Sequence, residues 1–173
     1  SLFRLIANTF FRNIEVAGLE NIPEEGPVIF AGNHPNALMD GWLLIAKCGR
    51  WPVYFLASAK LWKYRAMAPI LNASGAVPVY RREEYGDEAD NSDAFERIYE
   101  LLESGECIGI FPEGVSHVES QLVQLKTGTA RVALTVTDRG KVSVPIIPVG
   151  LNYIRRHRFR SQAYISFGEP IEI

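Results

Sequence analysis

Apolar and polar positions follow two rhythms along this chain, and the two take turns. Short apolar runs closed by polar or turn-forming residues occur at Ile14–Ala17, Val28–Gly32, 53–57, 76–80, Cys107–Phe111, Val144–Val149 and Tyr164–Phe167. Runs of this length, bounded by glycine, proline and polar clusters, predict buried strands. Between them the spacing becomes helical. Phe95, Ile98, Tyr99 and Leu102 sit at i, i+3, i+4 and i+7, with Asn91 or Ser92 as a cap and Gly105 as the stop. Leu125, Thr129, Val132, Ala133 and Val136 form a second stripe. Residues 37–48 predict a helix, and 61–72 a helix or irregular structure. Residues 2–11 read as a short apolar helix between Arg4 and Arg12, suited to packing on a core or to lying on a membrane. The acid-rich stretch 83–93 predicts a solvated loop. Strands that alternate with helices point to the α/β class: a single domain over residues 1–173, with a largely parallel mixed central sheet flanked by helices. Ligands of such sheets sit beyond the carboxyl ends of the strands.

Composition narrows the field. With 173 residues, 47% of them hydrophobic and 22% charged, the chain is an ordinary globular domain with room for a core. A formal net charge of −2 gives no footprint for nucleic acid. Cys48 and Cys107 lie in apolar segments without metal-type spacing and read as small buried hydrophobes. No apolar stretch reaches the ~18 residues of a bilayer span. The sequence starts at Ser1 without a methionine or a signal-peptide pattern, so a trimmed portion of a longer chain is expected.

The chemistry-bearing residues fall at strand ends. Asn33-His34-Pro35-Asn36-Ala37-Leu38-Met39-Asp40 follows the run Val28–Gly32. Pro35 biases His34 toward an extended backbone, Asn36 suits an N-cap, and Asp40 then falls in the first helical turn. If the loop returns Asp40 to His34, the carboxylate orients the imidazole, and the pair is a general base for a hydroxyl. Cys107–Phe111 runs into Pro112-Glu113-Gly114-Val115-Ser116-His117, a turn expected to present backbone amides to a pocket. Glu113 could accept a hydrogen bond from a hydroxyl there or serve as a cap or ion-pair partner. Arg81 and Arg82 end another strand, and guanidinium forks suit phosphate oxygens. Lys60 and Lys126 are further anion-binding candidates. Arg155, Arg156, Arg158 and Arg160 form a basic cluster, read as a solvated face, an anionic lipid surface or a seat for a carrier phosphate.

In this order, the pieces resemble the glycerol-phosphate and lysophosphatidate acyltransferase family from about Val16 to Ile171. Four blocks carry the likeness: Asn33–Asp40, Gly75–Arg82, Phe111–Ser116 and Val144–Pro148. The resemblance implies a glycerol-3-phosphate acyltransferase-like fold, with His34 as the catalytic base and Asp40 as its partner. It places Arg81 or Arg82 on the acceptor phosphate, Glu113, Gly114 and Ser116 at the acceptor, Lys60 and Lys126 near the phosphate, and Pro148 on the acyl-donor side. Two departures stand out. Five residues separate His34 from Asp40 where the family usually has four, and Val115-Ser116 replaces the common Thr-Arg. The Ser116-His117 variant looks more like the glycerol-3-phosphate or dihydroxyacetone-phosphate branch.

The expected reaction is direct transfer of a fatty acyl group from acyl-CoA or acyl carrier protein to a hydroxyl of a phosphorylated glycerol acceptor, glycerol-3-phosphate or lysophosphatidate, in phospholipid biosynthesis. Backbone amides are expected to hold the oxyanion. No metal, cofactor or covalent acyl-enzyme is called for. A membrane-associated place on the cytoplasmic side is expected, since the product is a lipid. Two rivals remain open: a thioester hydrolase with the same His–Asp base, and a non-catalytic lipid-binding module.

Overall fold

The computed structural model describes residues 2–117, 123–140 and 142–173. Helix α1 (Leu2–Phe10) leads directly into β1 (Phe11–Ala17), followed by β2 (Val28–Gly32), α2 (Leu38–Lys47), β3 (Val53–Ser58), α3 (Ala68–Ala73), β4 (Val77–Val79) and α4 (Arg82–Tyr85). The chain continues through α5 (Ser92–Glu103), β5 (Cys107–Ile110), α6 (Gly128–Asp138), β6 (Ile146–Tyr153) and β7 (Ser161–Phe167). The strands form one seven-stranded sheet in the order β1-β7-β6-β2-β5-β3-β4. Every neighbouring pair is parallel except β6–β7. The expected α/β class with a largely parallel mixed sheet is what the structure shows.

Strand alternation divides the apolar side chains between two cores. On one face Val28 and Phe30 of β2, Phe55 of β3 and Ile147, Val149 and Leu151 of β6 pack under α1 and α2. On the other, Ile29 and Ile108 pack under Ile98, Leu101 and Leu102 of α5 and Val132, Ala133 and Val136 of α6. The inner strands β2, β3, β5 and β6 thus feed both layers and read as continuous apolar runs, whereas β1 and β7 give apolar side chains to the first layer alone. Both cysteines are buried; burial pushes the Cys48 thiol up to about 11 and raises that of Cys107 as well.

Several boundaries move for local reasons. The strand expected from Val144 begins at Ile146, since Pro145 has no N–H for the ladder, although its carbonyl accepts from the Ile29 amide at 3.1 Å. Leu125, expected on the α6 stripe, lies before that helix and is exposed. The acidic stretch 83–93 is not wholly a solvated loop, because α4 forms within it and Glu84 is bonded to Ser58. Asn91 sits at the cap position of α5 but gives its side chain to the Tyr80 backbone, accepting from N–H at 2.7 Å and donating to C=O at 2.8 Å. The Asp90 carboxylate takes the Ser92 amide instead. This exchange ties the end of β4, and with it Arg81, to the start of α5. Helix α1 docks on the domain through buried Phe3 and Ala7 while Leu2 and Leu5 remain exposed. Among the described residues no helix is long and apolar enough to cross a membrane.

Candidate active site

The centre is built at the carboxyl end of β2, the middle strand of the sheet. Asn33 extends the ladder with its side chain: Nδ2 donates to the Leu151 carbonyl at 2.9 Å and Oδ1 accepts from the Leu151 amide at 2.7 Å. The backbone is therefore pinned one residue before His34. The chain then turns through Pro35–Ala37, with Ala37 at φ 47°, a conformation unusual for a residue with a Cβ. Asn36 is not the N-cap; that position falls to Ala37, which makes no side-chain cap. The turn returns Asp40, in the first turn of α2, to the histidine despite the extra residue between them.

His34 Nδ1 lies 2.9 Å from Asp40 Oδ2. The same oxygen accepts from the Asn36 amide at 2.7 Å, and Oδ1 accepts from the Tyr153 hydroxyl at 2.7 Å. Asp40 is completely buried, a position a carboxylate holds only with such partners. Burial, and then the Asp40 charge, push the Tyr153 hydroxyl far above its ordinary pKa, so it stays a donor. With Nδ1 turned to the carboxylate, Nε2 is left as the basic nitrogen. The ring is also held flat: Phe111 stacks on it with centroids 4.1 Å apart and 9° between planes, and Phe55 stacks on Phe111 at 5.8 Å. Gly109 and Gly41 make room for Phe55; a Cβ at Gly109 would collide with its ring. From the sequence, Phe111 is named as the start of the Phe111–Ser116 block, not for its stacking on His34, and Tyr153 is not named. Tyr153 had no local signal at all.

Of the two roles open to Glu113, the structure shows the ion-pair partner. One oxygen of the buried Glu113 carboxylate accepts from the His34 amide at 2.9 Å and lies 2.8 Å from His117 Nε2. His117 N–H in turn donates to the His34 carbonyl at 3.1 Å. Both backbone groups of His34 are therefore clamped by residues 113–117, and His117 belongs to the clamp. The expected supply of free amides is absent at four positions. The His34 amide is bound to Glu113, Asn36 to Asp40, Ala37 to Ser116 Oγ at 3.0 Å, and Gly114 to the Phe111 carbonyl at 2.9 Å. Gly114 is instead needed for the turn, at φ 76° with the Lys126 side chain against it.

His34 opens on a cavity of about 460 Å³ beyond the ends of β3 and β5. Its walls are mostly apolar: Trp42, Ile45, Phe55, Leu61 and Leu71 contribute to them. Lys60, Arg81 and Ser116 line the same space. Arg81 Nη1 is 4.0 Å from Glu84 Oε1, a loose pairing, while Glu84 Oε2 accepts from Ser58 Oγ at 2.6 Å. The Arg82 side chain lies outside the described residues. Five expected site residues are not in the cavity wall: Asp40 and Glu113, which are buried in contact with His34, and Lys126, Gly114 and Pro148. Lys126 is exposed and lies 3.6 Å from Glu83, outside the cavity. Gly114 lies in the turn beneath it. Pro148 sits in β6 opposite Ala31, packed on Gly168.

A His–carboxylate pair at the head of an apolar cavity with cations on its wall suits acyl transfer, and the sequence relationships agree. The Acyltransferase family model matches residues 13–152, and the chain belongs to that family. Over 90 residues, 51% of this chain, it is 47% identical to glycerol-3-phosphate O-acyltransferase 1 of Saccharomyces cerevisiae, covering 12% of that protein. It is 32% identical to the 1-acyl-sn-glycerol-3-phosphate acyltransferase of Borreliella burgdorferi over 80% of this chain and 50% of that one. The chain thus spans at most half the length of these relatives. The crystal structure of the 1-acyl-sn-glycerophosphate (LPA) acyltransferase of Thermotoga maritima superposes with a TM-score of 0.71 at 20% identity, over 99% of this chain and 68% of that one. The fold is the same.

Proposed function

We propose that this chain is the acyl-transfer domain of an O-acyltransferase that moves a fatty acyl group from a thioester, acyl-CoA or acyl carrier protein, to a hydroxyl of a glycerol-phosphate acceptor. The observation that carries the reading is the His34–Asp40 pair opening on an apolar cavity that also holds Arg81 and Lys60. His34 Nε2 takes the proton of the acceptor hydroxyl as its oxygen attacks the thioester carbonyl, and Asp40 stabilises the imidazolium. The tetrahedral intermediate collapses by breaking its C–S bond, and the imidazolium returns the proton to the departing thiolate. Ser116 Oγ already accepts from the Ala37 amide, so its own hydrogen is left to donate. It lines the cavity beside His34 and is assigned to the developing oxyanion. Arg81 and Lys60 receive the acceptor phosphate, and the apolar wall receives the acyl chain. Glycerol-3-phosphate and lysophosphatidate are the proposed acceptors, supported by the glycerol-3-phosphate and 1-acyl-sn-glycerol-3-phosphate acyltransferases among the relatives. Because the product is a lipid, the reaction is placed at a membrane surface, on the cytoplasmic side where acyl thioesters are held.

The deciding experiment is an acceptor screen with one labelled acyl-CoA, read by mass spectrometry. Acyl transfer to glycerol-3-phosphate, lysophosphatidate or both is expected. Release of free fatty acid at one rate with and without acceptor would make the domain a hydrolase.

A further inference from the structure

A second concave face lies away from the cavity. Arg12 of β1 and Arg155, Arg158 and Arg160 of the β6–β7 connection surround a cleft of about 590 Å³. All four arginines are exposed. None is ion-paired among the described residues, although the chain as a whole is net acidic. Two large apolar side chains stand in the same group, Ile154 at 72% exposure and Phe159 at 60%. The connection is not loose: the Arg160 amide donates to the Phe10 carbonyl at 2.7 Å, and the Phe10 and Phe159 rings meet edge to face. Arg156 is turned the other way. Its Nη1 donates to the Pro35 carbonyl at 3.2 Å, and Asn36 Nδ2 donates to the Arg156 carbonyl at 3.3 Å.

We infer that this face docks on an anionic bilayer. Unpaired guanidinium groups are drawn to lipid phosphates, and exposed isoleucine and phenylalanine side chains gain by entering the headgroup–acyl boundary. Alternating cations and apolar tips fit a surface that is anionic outside and hydrocarbon beneath. An acidic carrier protein would satisfy the cations and leave Ile154 and Phe159 in water. The inward Arg156 contact joins this face to the turn after His34, so docking brings the lipid surface beside the catalytic loop. The inference rests on the proposed reading that the reaction runs at a membrane, and names the face that makes the contact.

Flotation with vesicles tests it without any turnover. The 173-residue chain is expected to float with phosphatidylglycerol/phosphatidylcholine vesicles at low salt, to be released at high salt, and to stay down with phosphatidylcholine alone. Arg12→Gln/Arg155→Gln/Arg158→Gln is expected to weaken partitioning roughly fivefold per charge, about a hundredfold in all. Phe159→Ser should weaken it while leaving the salt dependence in place. Arg97→Gln/Arg131→Gln, on α5 and α6, should float as the parent does. Equal flotation of parent and triple variant, with unchanged thermal melts, would overturn the inference. So would equal binding to neutral vesicles, an equal loss in the α5/α6 control, or arginine-dependent capture by an acyl carrier protein with no vesicle binding. Transfer to a detergent-dispersed acceptor, measured alongside, separates the two readings: its persistence without flotation removes the docking face and leaves the proposed activity standing.

Discussion

The two sides of the cavity are built on opposite principles. On the His34 side polar groups converge and are committed: Asp40 takes three donors, and Glu113 and His117 clamp the backbone of His34. On the facing side, Trp42, Ile45, Leu61 and Leu71 supply shape without a shared hydrogen-bond network around the reacting atoms. A hydrogen-bonded cluster is directional and loses most of its function when one member goes. An apolar wall responds to volume and tolerates exchange. Chemistry should therefore fail abruptly on the first side, while specificity should drift on the second.

The sharpest break is His34→Ala, expected to lower turnover by roughly 10²–10⁴ with the fold intact, as general-base loss does. Steady-state kinetics with a matched circular-dichroism melt checks it, and activity within about twofold of the parent removes His34 as the base. Ser116→Ala comes next, at roughly 10²-fold in kcat with little change in either KM, the scale for one oxyanion donor. A change confined to the acceptor KM would return Ser116 to a binding role.

Arg81→Gln sharpens the comparison from the cavity wall. A charge-assisted contact is worth ~1.5–3 kcal/mol, so the KM for a phosphorylated acceptor should rise about tenfold or more while the donor KM holds. An unchanged acceptor KM would leave Lys60 as the cation to test. Ala57→Leu adds bulk to the apolar side. It should shift preference to shorter acyl chains, by roughly tenfold in relative kcat/KM for a methylene or two, and leave turnover of the best chain near that of the parent. A competition assay with mixed acyl-CoAs reads the shift.

The smallest expected effect is that of thiol reagents. With the Cys48 thiol pushed up to about 11, roughly one part in a thousand is thiolate at pH 8. Burial closes Cys107 off as well. Iodoacetamide at pH 8 should leave both cysteines unmodified by mass spectrometry and activity unchanged. The sign for stability follows from the raised folded value: protection by the buried neutral thiol is full below pH 9 and is lost as pH rises toward 11.

What the sequence determined by itself was the local layer. Apolar runs and helical stripes placed the strands and the main helices, because burial on two faces demands those periods. Pro35 and the position of Asp40 made the His–Asp pair legible, since both act within a few residues. Family motifs then named Arg81 and Glu113. The tertiary structure decided what those residues touch. Tyr153 reaches Asp40 from β6, 113 positions along the chain, a distance across which periodicity carries no information. Lys126 stands outside the cavity beside Glu83, because the path of the chain after the turn, which spacing does not encode, sets where its side chain starts. The expected oxyanion amides were consumed by Glu113, Asp40, Ser116 and the Phe111 carbonyl, for buried backbone donors take whatever acceptor the fold brings within reach. Spacing along a chain can announce which groups are present; only packing decides which of them are already bonded to one another and which remain for a substrate.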